Sequence, residues 1–271
     1  MARNFGLFIF GDEILSGKRQ DRHFDQVKSI LAARGLALSW VHYLGDDPGR
    51  CVRAFCESFA SGDVVLSCGG IGSTPDDHTR QAAAEALQTD LVLHPQAERL
   101  IRERAADTGQ PASPERLRMG EFPRGAEIIP NPYNKIAGFS IREHYFVPGF
   151  PVMAWPMMEW VLDTYYAHEF RSAAEMDRSM IVVGLYEATV TPLMQQLCAQ
   201  YPQFKFYSLP SAGDDGLPRH VELGVKVQTV GHVPGAASPA EPPLFAQAYE
   251  AFRSGVIVLG GKITDERSAH R

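Results

Sequence analysis

Cysteine is scarce in this sequence. Its four residues, Cys51, Cys56, Cys68 and Cys198, form no C-x-x-C pair. Their spacing matches no zinc or disulfide framework, which excludes a disulfide-stapled scaffold and favours buried reduced thiols. Long apolar runs are missing too, and nothing approaches the ~20 residues that cross a bilayer. The first apolar stretch, Phe5 to Phe10, runs straight into Gly11-Asp12-Glu13 and carries no small-residue cleavage site. A cytoplasmic chain without a signal peptide is therefore expected. Excess positive charge is also lacking, with 26 Lys and Arg against 32 Asp and Glu and a net charge of −6. That balance argues against nucleic acid and against an anionic membrane as partners. What is present is ordinary globular material: 45% hydrophobic and 21% charged residues over 271 positions, enough for one large or two modest domains.

The pattern along the first half alternates. Phe5–Phe10 reads as a strand covered on both faces, and Phe24, Val27, Ile30 and Leu31 mark a helix. Leu36–Tyr43 reads as a second strand ending at Gly45-Asp46-Asp47-Pro48. Asp47 is placed as an N-cap with Pro48 at the first helical position. Val52, Phe55 and Phe59 give a second helix, and Val64–Cys68 a third strand. Gly69-Gly70-Ile71-Gly72-Ser73-Thr74-Pro75-Asp76-Asp77 follows at once, then an alanine-rich helix from about Asp77 to Leu87. Strands alternating with single helices predict a parallel sheet with right-handed crossovers. Further on, Pro95 opens a helix, residues 108–125 are turn-rich and unassigned, and Ala126–Ile129 and Phe139–Val147 read as strands. Met153–Tyr166 reads as a long helix whose Trp155, Trp160, Met157 and Met158 serve the core or a homo-oligomer contact.

A different grammar follows a polar stretch at 167–178. Met180–Leu185, Pro192–Ala199, Phe204–Leu209, His220–Val230, Pro242–Arg253 and Val256–Leu259 give the order β-α-β-β-α-β, a small α+β domain. Gly231–Pro243 reads as a mobile loop or linker. The expected division is a first domain over 1–170 and a second over 178–262.

In a parallel sheet the carboxyl ends of the strands share one edge, where ligands bind. Asp12 and Glu13 end the first strand, Asp46 and Asp47 the second, and the glycine loop with Asp76 and Asp77 the third. The loop offers backbone N–H groups at Gly69, Gly70 and Gly72, hydroxyls at Ser73 and Thr74, and a helix N-terminus behind them. It is neither a Walker A motif nor G-x-G-x-x-G. Many carboxylates where an anion would sit repel it unless a cation intervenes. The expectation is that Asp46, Asp76 and Asp77 hold Mg²⁺ or a similar ion bridging to a phosphate. Lys18, Arg19 and Arg80 are the cations expected to touch phosphate directly. The alternative for single acids is plain capping, as at Asp47 and Asp77, and for His23 and His78 a structural hydrogen bond.

Gly11-Asp12-Glu13-Ile14-Leu15-Ser16-Gly17, Gly45-Asp46-Asp47 and GGIGSTPDDHTR (Gly69 to Arg80) resemble the molybdopterin-binding domain family. The branch they resemble most is the N-terminal domain of competence/damage-inducible protein A (CinA), which IIPNPYNKIAGF and PGFPVM also match. The resemblance covers about residues 5–167, and residues 180–260 resemble more weakly the middle domain of the same proteins. It implies a three-layer α/β/α domain with a mostly parallel sheet, plus the small α+β C-terminal domain. It implies a pterin phosphate or nucleotide as ligand, and metal-dependent hydrolysis of the diphosphate of ADP-ribose in the CinA branch. The alternative is a molybdopterin or nucleotide carrier without turnover. Catalytic positions carry over to Asp46 and Asp77, assisted by Asp76, with Thr79 completing Asp-x-Thr. Gly11, Asp12, Glu13, Gly69, Gly70, Gly72, Ser73, Thr74 and Thr79 carry over as ligand-binding positions. Three positions depart from the pattern: Ile71 for threonine, His23 for asparagine and Met153 for glutamate. The chain ends before the C-terminal amidase domain of longer relatives, so amidase activity is not expected.

Overall fold

The computed structural model describes residues 3–170, 173–213, 218–230 and 241–270. The chain divides into two compact units, Met1–Phe170 and Arg171–Arg271.

The first unit is built on a six-stranded sheet. Its strands are β1 (Phe5–Phe10), β2 (Leu38–Leu44), β3 (Val64–Cys68), β6 (Glu127–Ile129), β7 (Gly138–Ile141) and β8 (His144–Val147). Their order is β2-β1-β3-β8-β7-β6. The pairs β1–β2, β1–β3 and β3–β8 are parallel, and β7 runs antiparallel to both its neighbours. Every residue of β1 and β3 is buried, as continuous apolar strands must be when both faces are covered.

Helices supply the two outer layers. On one face α2 (His23–Ala32) and α7 (Pro151–Tyr165) pack Val27, Ile30, Leu31, Met157 and Met158 against Phe5, Leu7 and Ile9. On the other, α3 (Pro48–Ser61), α4 (Thr79–Ala86) and α5 (Pro95–Asp107) bring Phe55, Ala82, Ala83 and Ala97 against Phe8 and Phe10. This is the three-layer α/β/α architecture. The large apolar residues of α7 lie in this unit's own core, while Val152 at its start is 54% exposed. Asp47 caps α3 by accepting the Arg50 N–H at 2.7 Å, with Pro48 at the first helical position.

Local departures from the sequence reading have identifiable causes. Phe139–Val147 is two strands, because Arg142 adopts φ 51° and turns the chain into a hairpin. The turn-rich stretch at 108–125 contains α6 (Pro114–Arg118), capped by Ser113, and β5 (Glu121–Pro123), which pairs with β4 (Leu91–Leu93). Between β1 and α2 lies a short helix, α1 (Asp12–Leu15).

In the second unit an antiparallel sheet has the order β10-β11-β9-β12. The strands are β9 (Ala173–Val183), β10 (Lys205–Ser211), β11 (His220–Val230) and β12 (Lys262–His270). Helices α8 (Glu187–Gln200) and α9 (Pro243–Val258) pack on one face, where Val190, Leu197, Phe245, Tyr249 and Phe252 meet Met180, Phe206 and Leu223. The β-α-β-β-α-β order is present, but its last strand is not Val256–Leu259. Phe245, Ala248, Tyr249, Phe252 and Val256 keep helical spacing and are all buried, so α9 runs on to Val258. Gly260, at φ 88°, then turns the chain into β12. Residues 231–240 of the expected linker lie outside the described residues. Among the described residues no helix is long and apolar enough to cross a membrane.

Candidate functional site

The carboxyl ends of β1, β2 and β3 meet because the strands are parallel neighbours. The Gly11 N–H donates to the Leu44 carbonyl at 3.0 Å. Beyond it the two acids clasp each other's backbone. The Asp12 N–H donates to Asp46 Oδ2 at 3.0 Å, and the Asp46 N–H donates to Asp12 Oδ1 at 3.3 Å. This exchange fixes the first turn of α1 against the end of β2.

The glycine loop is shaped by close approach. Gly70 sits at φ 69°, and a Cβ there would lie 2.1 Å from Thr79 Oγ1. That hydroxyl is buried and donates to the Gly69 carbonyl at 3.0 Å, while the Thr79 N–H donates to the Gly70 carbonyl at 3.0 Å. Thr79 thus braces the loop from behind. The helix N-terminus expected to face an anion is turned to the same purpose.

A cleft of about 490 Å³ opens at this edge. Of the residues singled out in the sequence, Gly11, Glu13, Asp46, Gly69, Gly70, Asp76 and Asp77 line it. Asp12 stands behind the wall through its clasp with Asp46. Gly72, Ser73, Thr74 and Thr79 are not among its walls. The Thr74 N–H donates to Asp77 Oδ2 at 2.8 Å, and the Thr74 hydroxyl donates to the same oxygen. Asp77 therefore closes the loop on itself rather than capping α4, whose first residue is Thr79.

Arg80 does not reach the cleft. It is 3% exposed and donates to the Gly72 carbonyl at 2.6 Å and to the Arg118 carbonyl, stitching the loop to α6. Lys18 is exposed and is not a wall residue either. The cations that line the cleft are Arg19 and Arg22, and neither has a carboxylate partner among the described residues. Gly149, Phe150 and Pro151 line the cleft as well, within the PGFPVM segment to which the sequence reading gives no ligand-binding role. It follows β8, whose parallel place beside β3 brings its carboxyl end to the same edge. The Lys18-Arg19-Gln20-Asp21-Arg22 run after the first strand was the available signal for Arg22.

His23 also lines the cleft and is 5% exposed. Its Nε2 lies 3.1 Å from the Gly149 carbonyl, which makes Nε2 the protonated nitrogen and leaves the buried Nδ1 without a partner among the described residues. Burial pushes the imidazole below its ordinary range, so the ring is neutral near pH 7. The carboxylates are pushed apart. Burial, with Asp12, Glu13 and Asp76 nearby, raises Asp46. The Thr74 hydroxyl and its own backbone N–H hold the exposed Asp76 below the usual carboxylate range. Asp46, Asp76 and Asp77 share the cleft, yet among the described residues no three His, Cys, Asp or Glu side chains are arranged to hold a metal ion. Asp77 is committed to Thr74 and Asp46 to Asp12, so the acids do not fit a preformed cation site.

An α/β/α sheet with a glycine loop at its carboxyl edge belongs to the class of folds that bind ligands along that edge. Residues 6–168 match the family described as probable molybdopterin binding domain, and the chain belongs to that family. Within it the similarity runs to CinA-like proteins. One from Desulforapulum autotrophicum is 30% identical over 202 residues, covering 71% of this chain and 48% of the relative. Another from Geobacter metallireducens is 30% identical over 226 residues, covering 78% of this chain and 55% of the relative. The chain thus spans about half the length of these CinA-like relatives. A protein of Pyrobaculum calidifontis is 29% identical over 208 residues, covering 75% of this chain and 79% of that one. The crystal structure of CinA from Thermoplasma acidophilum shares the fold, with a TM-score of 0.53 at 24% identity, over 59% of this chain and 97% of that one.

Proposed function

We propose that the cleft binds a phosphorylated pterin or nucleotide, with the phosphate held beside Gly69 and Gly70. The observation that carries this reading is the pair Arg19 and Arg22, two guanidinium groups lining a cleft with no carboxylate partner among the described residues. An unpaired arginine beside a glycine loop is a ready phosphate donor, because its planar fork matches the oxygens of the anion. The family's description supports the pterin, and molybdopterin is the ligand of that kind to try first.

Hydrolysis of the diphosphate in ADP-ribose or a similar nucleotide is the second reading, and Asp46 is the observation in its favour. A carboxyl raised by burial and by neighbouring acids is a suitable proton acceptor. Asp46 would take a proton from water as its oxygen attacks phosphorus; the anhydride bond breaks, giving AMP and ribose 5-phosphate. Asp76 and Asp77 would bias the charge at that point. Because the acids do not form a ready cation site, no step is routed through a metal.

Calorimetry with molybdopterin and with ADP-ribose, each with and without Mg²⁺, tests both readings. Pterin binding without metal dependence or nucleotide turnover supports the carrier. Release of AMP and ribose 5-phosphate that falls at least ~100-fold in Asp46→Asn supports the hydrolase. Equal turnover by Asp77→Asn removes Asp77 from the chemistry. Binding of neither ligand defeats the cleft reading itself.

A further inference from the structure

A second hollow, a groove of about 630 Å³, adjoins the cleft. The two share Arg22, Phe150 and Pro151 as lining residues, so they lie side by side with those residues between them. Beyond those residues the walls change character. Val152, Trp155 and Pro156 form an apolar floor, and Gln26 and Glu159 supply a thin polar rim. Phe150 and Val152 are 55% and 54% exposed, although each is large and apolar. Arg22 lies 5.7 Å over the Trp155 ring and lines both hollows. Apolar and aromatic walls with a few polar groups at the rim are what a flat heterocycle needs. The cleft supplies what that ring's phosphate needs.

We propose that the groove at the start of α7 is the ring subsite, taking the planar heterocycle of the ligand whose phosphate lies in the cleft. The assignment rests on the phosphate reading above. It makes Phe150, Val152 and Trp155 the specificity-determining surface and Arg22 the residue that registers ring and phosphate together. Adenine and pterin share the required chemistry, a flat π face with polar edges, and separate ring probes distinguish them.

The test compares AMP and a 6-substituted pterin phosphate with ribose 5-phosphate, which has the anion but no heterocycle. Binding is followed by calorimetry and by tryptophan emission on the full chain. At least one ring ligand is expected to bind about tenfold or more tightly than ribose 5-phosphate, and to quench Trp155. Val152→Glu puts a charge on an exposed groove position, so the fold is safe. It is expected to abolish the affinity difference between the ring ligand and ribose 5-phosphate. Trp155→Phe is expected to remove the quench while the chain still binds. Equal affinities for ring and ringless ligands overturn the proposal. So does a Val152→Glu variant that keeps ring affinity but turns an oligomer into a monomer, since the groove is then an interface between copies. If no phosphate compound binds the wild type, the cleft reading fails and this one falls with it.

Discussion

The second unit and the cleft of the first differ in how their charges are partnered. In the second unit, several charges are partnered: Arg178 lies 3.9 Å over the Tyr249 ring and 3.1 Å from Glu241, and Arg253 lies 3.1 Å from Glu266. The Tyr207 hydroxyl donates to Asp177 at 2.7 Å, and the Ser179 hydroxyl to Glu222 at 2.6 Å. In the cleft of the first, Arg19 and Arg22 have no carboxylate partner among the described residues, while Asp46, Glu13, Asp76 and Asp77 line the same cleft. Crowding these acids raises Asp46, a cost that functional sites often carry. Local electrostatic dissatisfaction separates a site from a scaffold more sharply than the mere presence of acids does.

Acid should separate the units most. His144 is buried with its imidazole pushed down to about 3, chiefly by burial. A folded-state value below the unfolded one means that stability is full above about 6.5 and is lost as pH falls. Each pH unit in that window costs about 1.4 kcal/mol, and His23 adds to the loss. In the second unit Glu266 is held low by the Tyr249 hydroxyl and Arg253, so its contribution fades only below the ordinary carboxylate range. All three tryptophans, Trp40, Trp155 and Trp160, lie in the first unit. Urea melts followed by tryptophan emission should weaken steeply from pH 6.5 to 4. His144→Phe should flatten that slope, and an unchanged slope would clear His144 of responsibility.

A backbone comparison comes next in size. Gly70→Ala must hold φ 69° and push against Thr79, and should cost about 2–4 kcal/mol together with all phosphate binding. Gly260→Ala, in the second unit, meets open space at φ 88° and should cost only about 1 kcal/mol. Equal melting temperatures for the two variants would refute a braced loop.

The smallest effect has the opposite sign. Asp46 is raised in the fold, so its penalty is absent below the ordinary carboxylate range and complete above the raised value. Asp46→Asn should therefore raise Tm by about 1–2 °C at pH 7, and by nothing near pH 4. A loss of Tm at pH 7 would mean that the clasp with Asp12 outweighs the crowding.

Much of this was legible locally. Continuous apolar runs identified β1 and β3, and turn chemistry located Asp47 and the glycine loop. Convergence of Glu13, Asp46 and Asp77 followed from parallel strand order alone. What escaped was set by pairings between distant segments. Gly149–Pro151 enters the site only because β8 docks beside β3, and nothing within 138–151 encodes that choice. Arg80 looked like a ligand contact because it follows the loop. Its burial depends on carbonyls at Arg118 and Gly72. Val256–Leu259 reads as a strand because short apolar runs fit either period, and only the depth of the α9 face decides.

The cysteines have a practical use. Cys51 and Cys68 are buried, with burial pushing the Cys51 thiol up to about 11 and Cys68 higher still. Cys56, on α3, and Cys198, on α8, are exposed. One reactive attachment point thus lies on each unit, and the other two are shielded from alkylation. A donor and an acceptor dye placed there would report the distance between one point on each unit.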